Sequence, residues 1–210
     1  MKDRGILIIV SGFSGAGKGT VMKKLMSEYD NYALSISATT RAPRTGEQDG
    51  REYFFKTVEE FEAMIENNQL IEYACYVGNY YGTPKEYVEK MLDEGKDVIL
   101  EIEMQGTMKV KEMMPETVLV FIAPPTAEEL KNRLEGRGTE DSETIKARLK
   151  RASEEVVYMD KYDYLLINDK LDECVENLHK IVQMEHSKVS RNINKINFYR
   201  EDLKIFSEGE

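Results

Sequence analysis

Cysteine and histidine are too scarce in this chain to build several common kinds of site. The 210 residues include two cysteines, Cys75 and Cys174, and two histidines, His179 and His186. The cysteines stand far apart with no neighbours at metal-ligand spacing, which predicts neither a disulfide framework nor a zinc site. The histidines lie beside no nucleophile motif, so we expect plain helix or surface roles for them. A reducing compartment fits this composition, and we expect the chain in the cytoplasm.

Long apolar runs and an excess of cations are also lacking. The first apolar stretch, residues 6–10, is too short for a signal-peptide core or a membrane span. Lys and Arg number 29 against 39 Asp and Glu, which gives a formal net charge of -10. Because nucleic-acid binders need clustered cations, we expect neither nucleic acid nor a membrane among the partners. Any anion site must be built locally.

What the chain does contain is a repeated alternation of short apolar runs and helical patterns. The length allows one domain or at most two. Runs rich in Ile, Val and Leu indicate strands buried on both faces, and helical spacing between them predicts a parallel sheet with crossover helices, an α/β fold. The predicted strands cover residues 6–10, 98–102, 118–123 and 164–167, and helical patterns cover 21–29, 84–92 and 144–159.

Three segments depart from this alternation. Residues 31–82 carry alternating and aromatic stretches that predict a small mixed-sheet insert, which leaves 1–30 and 83–190 for the core domain. A polar stretch at 136–142 predicts a mobile loop over a site, within a lid of about residues 134–148. The tail, 191–210, has apolar residues at roughly helical spacing and predicts an amphipathic helix whose role cannot be read from the sequence.

Directly after the first predicted strand comes a glycine-rich loop, Ser-Gly-Phe-Ser-Gly-Ala-Gly-Lys-Gly-Thr, and then a helix. Glycines let backbone N–H groups converge on one point, where the helix N-terminus and Lys18 add positive charge, so the loop suits a nucleoside triphosphate. With this loop, the predicted α/β fold is of the P-loop NTPase type. Gly19 stands where the P-loop pattern has Ser or Thr, and Thr20 brings the hydroxyl one position late. The alternative is a tight turn with a solvated lysine. The predicted triphosphate-binding residues are Gly12, Ser14, Gly15, Ala16, Gly17, Lys18, Gly19 and Thr20.

A second anion site is predicted around two arginines. Arg41 and Arg44 flank Pro43, which stiffens the backbone between them. Guanidinium groups bind phosphate oxygens bidentately, so the pair suits a monophosphate. The alternative is two exposed loop arginines.

Several longer strings carry a more specific signal. They are Ser-Ala-Thr-Thr-Arg-Ala-Pro-Arg-Thr-Gly-Glu, Gly-Arg-Glu-Tyr-Phe-Phe, Gly-Asn-Tyr-Tyr-Gly-Thr-Pro, Glu-Met-Gln-Gly and Leu-Glu-Gly-Arg-Gly-Thr-Glu. In sequence and order the chain resembles the guanylate kinase family from about residue 5 to 185, with only the tail outside. The resemblance implies transfer of a phosphoryl group from ATP to GMP, with Mg²⁺ as cofactor.

Position by position, the resemblance also implies roles for individual residues. It assigns the GMP phosphate to Arg41, Arg44, Tyr53 and Tyr81, and the guanine to Ser37, Glu72 and Thr83. It assigns the donor nucleotide to the loop with Arg133, Arg137 and Asn168, the last at the adenine. It implies that catalysis rests on Lys18, Arg41, Arg137 and Arg148.

Two further acidic positions, Glu101 and Glu103, occupy the end of the second predicted strand. Carboxylates of Glu101 and Glu103 at the end of such a strand lie where ligands of open α/β sheets gather, and they suit contacts with GMP or a magnesium-bound water. Many family members have aspartates here, and a structural salt bridge is the alternative. The phosphates and water are expected to hold most of the Mg²⁺, with Thr20 and Glu101 as candidate protein ligands.

Chemistry of the bases supports Glu72 as the discriminating residue. Guanine offers two adjacent donors, N1–H and the 2-amino group, which one carboxylate can accept, whereas adenine presents an acceptor at N1. Two other functions stay open at this point: a non-catalytic guanylate-kinase-like interaction module, and a kinase for another nucleoside monophosphate. The oligomeric state, monomer or homodimer, is open as well.

Overall fold

Strands and helices alternate along most of the chain. The computed structural model describes residues 3–102, 104–136 and 141–206. Within them the strands are β1 (Leu7–Gly12), β2 (Tyr32–Leu34), β3 (Ala38–Thr39), β4 (Phe54–Phe55), β5 (Leu70–Tyr76), β6 (Asn79–Pro84), β7 (Asp97–Leu100), β8 (Val118–Ala123) and β9 (Tyr164–Ile167). The helices are α1 (Lys18–Glu28), α2 (Val58–Glu66), α3 (Lys85–Asp93), α4 (Met104–Met113), α5 (Ala127–Glu135), α6 (Ser142–Glu155), α7 (Leu171–His186) and α8 (Ile193–Asp202).

The larger sheet is parallel throughout and has the strand order β2-β7-β1-β8-β9. Its central strands are continuously apolar because helices cover both faces. Ile8 and Val10 belong to one buried cluster with α1, α5, α6 and α7, whereas Leu7 and Ile9 belong to a second cluster with α3 and α4. The predicted α/β class with its parallel sheet is therefore confirmed.

The smaller sheet has the order β4-β3-β6-β5 and is mixed, as predicted. β3 runs parallel to β4, and β6 runs antiparallel to both β3 and β5. A two-residue turn, Val77 and Gly78, joins β5 to β6, and both residues have positive φ. α2 begins with a capping box between Thr57 and Glu60, and it buries Phe61 against this sheet, where the ring stacks on Tyr80.

Several boundaries differ from those predicted, among them that of β1, which spans residues 7–12 and not 6–10. β2 lies inside the 31–82 range predicted for the insert, yet it pairs with β7 at the edge of the larger sheet; three residues are too few to give an apolar signal. β7 ends at Leu100, so Glu101 and Ile102 follow the strand. The helix predicted over 144–159 ends at Glu155, and a 3₁₀ helix, Val156–Lys161, continues it from two β-branched residues that favour helices poorly.

The tail is helical as far as the structure describes it. α8 lies between two 3₁₀ helices, Val189–Asn192 and Leu203–Phe206, but its apolar side chains Ile193 and Phe198 are exposed and do not form a buried stripe. Residues 137–140 of the predicted lid lie outside the described residues, between α5 and α6. In the described ranges no helix combines the length and the apolar character that a membrane crossing needs.

Candidate functional site

The phosphate cradle forms where β1 ends and α1 begins. Gly17 caps α1 with φ of 89°, and a Cβ on it would lie 2.6 Å from the Asn168 side-chain nitrogen, so glycine is required there for both conformation and space. The first turn of α1 contains no acidic residue, and no side chain caps it. The first N–H groups of a helix have no partner within it, and together with the helix dipole they make a site for an anion.

Lys18 folds back over this loop. Its Nζ donates to the carbonyl oxygens of Gly12 (2.5 Å) and Phe13 (3.3 Å). Glu101 faces the same space: partial burial in the cleft wall raises the pKa of its carboxyl, and the charge of Lys18 acts in the opposite direction. Because the Glu101 side chain is solvent-accessible, screening by water moderates both effects. A cation and a carboxylate thus flank the point to which the loop directs an anion.

The other predicted donor-side residues surround the cradle. Arg133 Nη2 donates to the Asn168 carbonyl (2.9 Å), and the Asn168 amide donates to the Ala16 carbonyl (2.8 Å). Arg148 hydrogen-bonds to the Ser14 hydroxyl. Asn168, which is 7 % exposed, therefore braces the loop in this structure. Arg137 lies outside the described residues, so its position relative to the cradle is not described.

The predicted acceptor-phosphate residues cluster on the smaller sheet. The Arg41 guanidinium lies over the Tyr53 ring at 5.3 Å, and the Tyr53 and Tyr81 rings meet edge to face at 6.0 Å. Both Glu47 carboxylate oxygens accept from Arg41 Nη2 at 2.9 Å, and this contact raises the pKa of Arg41. The Arg44 side chain is exposed. The structure brings these residues together on one wall of a cleft.

The predicted guanine-reading residues meet beside a cavity of about 200 Å³. Ser37, Tyr53, Thr83 and Glu101 line this cavity. Thr83 Oγ1 donates to Glu72 Oε1 at 2.7 Å. Burial raises the pKa of the Glu72 carboxyl, and the Thr83 hydrogen bond and Lys109 only partly offset that rise.

Two residues at the site were missed by the sequence analysis. The Ser35 hydroxyl lines the cavity and is buried, with no hydrogen-bond partner among the described residues. Glu47 binds the Arg41 side chain and the Arg44 backbone N–H. A lone carboxylate three positions after an arginine pair was the available signal for Glu47, whereas nothing in the sequence distinguishes Ser35 from an ordinary strand-end serine.

Oxygen ligands at the site suit Mg²⁺ but do not form a protein cage. Glu101 offers a carboxylate and Thr20 a hydroxyl at the first turn of α1, and hard oxygen donors are what Mg²⁺ prefers. In the part of the chain that the structure describes, no three His, Cys, Asp or Glu side chains are grouped to hold a metal ion. Glu103 lies outside the described residues.

Glu101 connects the cradle and the cavity, because it lines the cavity and the charge of Lys18 in the cradle acts to lower its pKa. A phosphate cradle at the carboxyl end of a parallel sheet, next to a second site with its own arginines, defines a P-loop phosphotransferase. The guanylate kinase family model matches residues 4–185. This chain belongs to the guanylate kinase family.

Individual relatives agree with that assignment. Guanylate kinase of Lactococcus lactis subsp. lactis (strain IL1403) is 51% identical over 205 residues, covering 98% of this chain and 100% of the relative. Guanylate kinase of Bacillus anthracis is 56% identical over 189 residues, covering 90% and 92%. A crystal structure of guanylate kinase from Anaplasma phagocytophilum superimposes with a TM-score of 0.69 at 35% identity, covering 91% of each chain.

These matches confirm the predicted family and its kinase class, and they support it over an interaction module or a kinase for another monophosphate. The family model covers residues 4–185, which agrees with the predicted range of about 5 to 185. The alignment with the Lactococcus lactis relative covers 98% of this chain and so continues into the tail.

Proposed function

We propose that this chain transfers the terminal phosphoryl group of ATP to GMP, giving ADP and GDP, and so recycles GMP in purine nucleotide metabolism in the cytoplasm. The observation that carries the proposal is the contact of two sites through Glu101: a cradle for a polyphosphate and a cavity with the half-buried Glu72 carboxylate at its side. Phosphoryl transfer needs mainly positioning and charge stabilisation, which this arrangement of cations provides.

The acceptor is recognised at both ends. Arg41, Arg44, Tyr53 and Tyr81 bind the phosphate of GMP on the smaller sheet. Glu72 accepts from N1–H and the 2-amino group of guanine, while Ser37 and Thr83 complete the contacts with the base. AMP leaves the Glu72 carboxylate without the two donors of guanine, and sites of this kind disfavour the wrong ligand by on the order of ten-thousand-fold.

The donor is bound by the loop from Gly12 to Thr20. Lys18 turns from its own loop carbonyls to the β- and γ-phosphates of ATP. Arg133 and Asn168 support the loop and the adenine, and Arg137 and Arg148 stabilise the charge that spreads over the group in transfer. Thr20 and Glu101 would offer oxygen ligands to a Mg²⁺ ion held mainly by the phosphates and water, and the ion would supply further neutralisation of the phosphate charge.

Substrate profiling of the purified chain tests the proposal. Offering ATP with GMP, AMP, UMP or dTMP, with and without Mg²⁺, should give efficient diphosphate formation from GMP alone and only with the metal. Glu72→Gln should lower kcat/KM for GMP by about a hundredfold or more, because the amide presents a donor to a guanine donor. The KM for ATP should stay unchanged.

Glu62→Gln is the matched control for that substitution, since Glu62 is an exposed carboxylate on α2 of the same insert. It should leave the GMP kinetics at the wild-type level. Absence of GDP under saturating ATP, GMP and Mg²⁺ would reject the proposed function.

A further inference from the structure

Internal partners hold the Arg41 guanidinium on several sides. Its Nη2 donates to both Glu47 carboxylate oxygens at 2.9 Å, and its Nη1 donates to the Ala42 carbonyl at 2.7 Å. Its face lies over Tyr53 at 5.3 Å and over Phe55 at 5.8 Å. A long, flexible side chain is therefore kept in one orientation before any nucleotide binds.

The same carboxylate also fixes the backbone of the second arginine. Arg44 N donates to Glu47 Oε2 at 2.7 Å, and Glu47 N donates back to the Arg44 carbonyl at 3.0 Å. The hydrogen bond from the Arg44 N–H and, after it, the one from the Arg41 side chain lower the pKa of Glu47, which favours its charged form. One glutamate thus holds the side chain of Arg41 and the main chain of Arg44 together.

Arg44 itself has a different environment. Its side chain is exposed, and no hydrogen bond or ion pair joins its guanidinium to the described residues. Glu47 therefore fixes the main chain of Arg44 and leaves its guanidinium available to a ligand. On Arg41, Glu47 engages the single nitrogen Nη2, whereas a bidentate phosphate contact uses two nitrogens.

We propose that Glu47 is a positioning residue for the acceptor phosphate, which orients the Arg41 guanidinium and the Arg44 backbone without touching GMP. The inference rests on the proposed function and adds a residue that neither the loop motif nor the resemblance assigns. Ordering a long side chain on binding costs affinity, and Glu47 removes that cost in advance. A carboxylate that merely competed with the phosphate for Arg41 would have the opposite effect on GMP affinity.

Glu47→Gln tests the sign of the effect. The amide keeps the shape of the side chain but has one acceptor oxygen and no charge, so the contacts with Arg41 and the Arg44 N–H lose one acceptor and their charge assistance. We expect the KM and Kd for GMP to rise about tenfold, with kcat and the KM for ATP unchanged. Guanosine, which lacks the phosphate, should bind the variant as it binds the wild type.

The guanosine measurement separates positioning from damage to the insert, because a disordered insert would weaken guanosine and GMP alike. Glu62→Gln makes the same chemical change on an exposed face of α2 and should leave both ligands unaffected. Unchanged or tighter GMP binding by Glu47→Gln would overturn the proposal, and so would a parallel loss for guanosine. The wild-type assay for GDP is read separately, so failure of the proposed function would show there and not in the variant.

Discussion

Glu72 lies in a setting that makes its charge costly. It accepts a hydrogen bond from Thr83, and its other oxygen lies against the first turn of α4, where a Cβ on Gly106 would be 3.3 Å away. Burial is the main cause of the raised pKa, so the folded protein favours the protonated carboxyl more than water does. Guanine needs the ionised form, because only that form accepts from both donors.

This raised pKa predicts an acidic limb in guanine binding. As the pH falls toward the raised pKa of Glu72, the ionised fraction decreases, and guanosine affinity should fall at a pH above that of an ordinary glutamate, near 4.5. Guanosine is the proper probe because the phosphate of GMP titrates near pH 6 and would obscure the effect. Calorimetry over pH 5 to 8 measures it, with Glu72→Gln as the control that should lack the limb. Matching pH profiles for the two proteins would contradict this account.

The sequence predicted the members of the site better than their partners. Gly12 to Thr20 and the Arg41–Arg44 pair could be predicted from the sequence, because a glycine-rich loop and a pair of cations have few roles other than anion binding in an acidic chain. Glu47 and Ser35 could not be predicted from the sequence, since their importance depends on which groups the fold brings within hydrogen-bond distance. Asn168 was predicted to contact adenine, and its bond to the Ala16 carbonyl emerges only from the packing of β9 against the loop.

The hairpin between β5 and β6 contains a local conflict. Tyr76 pairs with Asn79, and the turn between them places Val77 at φ 48° and Gly78 at φ 74°. A two-residue turn with two positive φ values favours Asn-Gly, whereas a β-branched residue in this conformation is strained by about 1–2 kcal/mol. Val77 is 78% exposed, so no burial of its side chain offsets the strain.

Val77→Asn should therefore stabilise the protein. We expect the free energy of unfolding to rise by about 1 kcal/mol, or roughly 2–4 °C in Tm for a chain of this size. Urea and thermal unfolding measure the change, and the KM for GMP should stay constant. Val157→Asn is the matched control, because Val157 is 66% exposed in a 3₁₀ helix and has no positive φ. Equal changes in both variants would show that loss of exposed apolar surface, and not turn strain, is responsible.

Strand bounds were predictable where the chain forms a continuous apolar run. β8 and β9 have the predicted bounds because each is a short apolar run ended by polar or proline residues. β8 is buried on both faces as predicted, whereas β9 is an edge strand on which Leu165 and Ile167 are exposed. β2 escaped prediction because it is a three-residue edge strand whose pairing with β7 depends on the rest of the sheet. The end of α6 was placed too late, since helical spacing alone does not tell an α-helix from the 3₁₀ helix that follows it.

The phosphate cradle lies on the larger sheet and the predicted acceptor-phosphate residues lie on the smaller one, so bringing the two phosphates together predicts movement. Phosphoryl transfer requires in-line contact without water, because water would compete as acceptor. Binding of GMP with a non-hydrolysable ATP analogue should therefore reduce the radius of gyration in solution scattering. The analogue with AMP is the control, as AMP should not engage Glu72. An unchanged radius with both proper ligands would count against closure.

Two connections join the insert to the core domain, one after β2 and one before α3. These connections are neighbours, because the Tyr87 hydroxyl on α3 donates to the Leu34 carbonyl at the end of β2, at 3.4 Å. A segment whose two ends lie side by side can be replaced without changing the path of the chain in the rest of the fold. Residues 35–84 thus form a natural cassette, and exchanging it between related enzymes offers a direct route to altered base preference on an unchanged ATP-binding core.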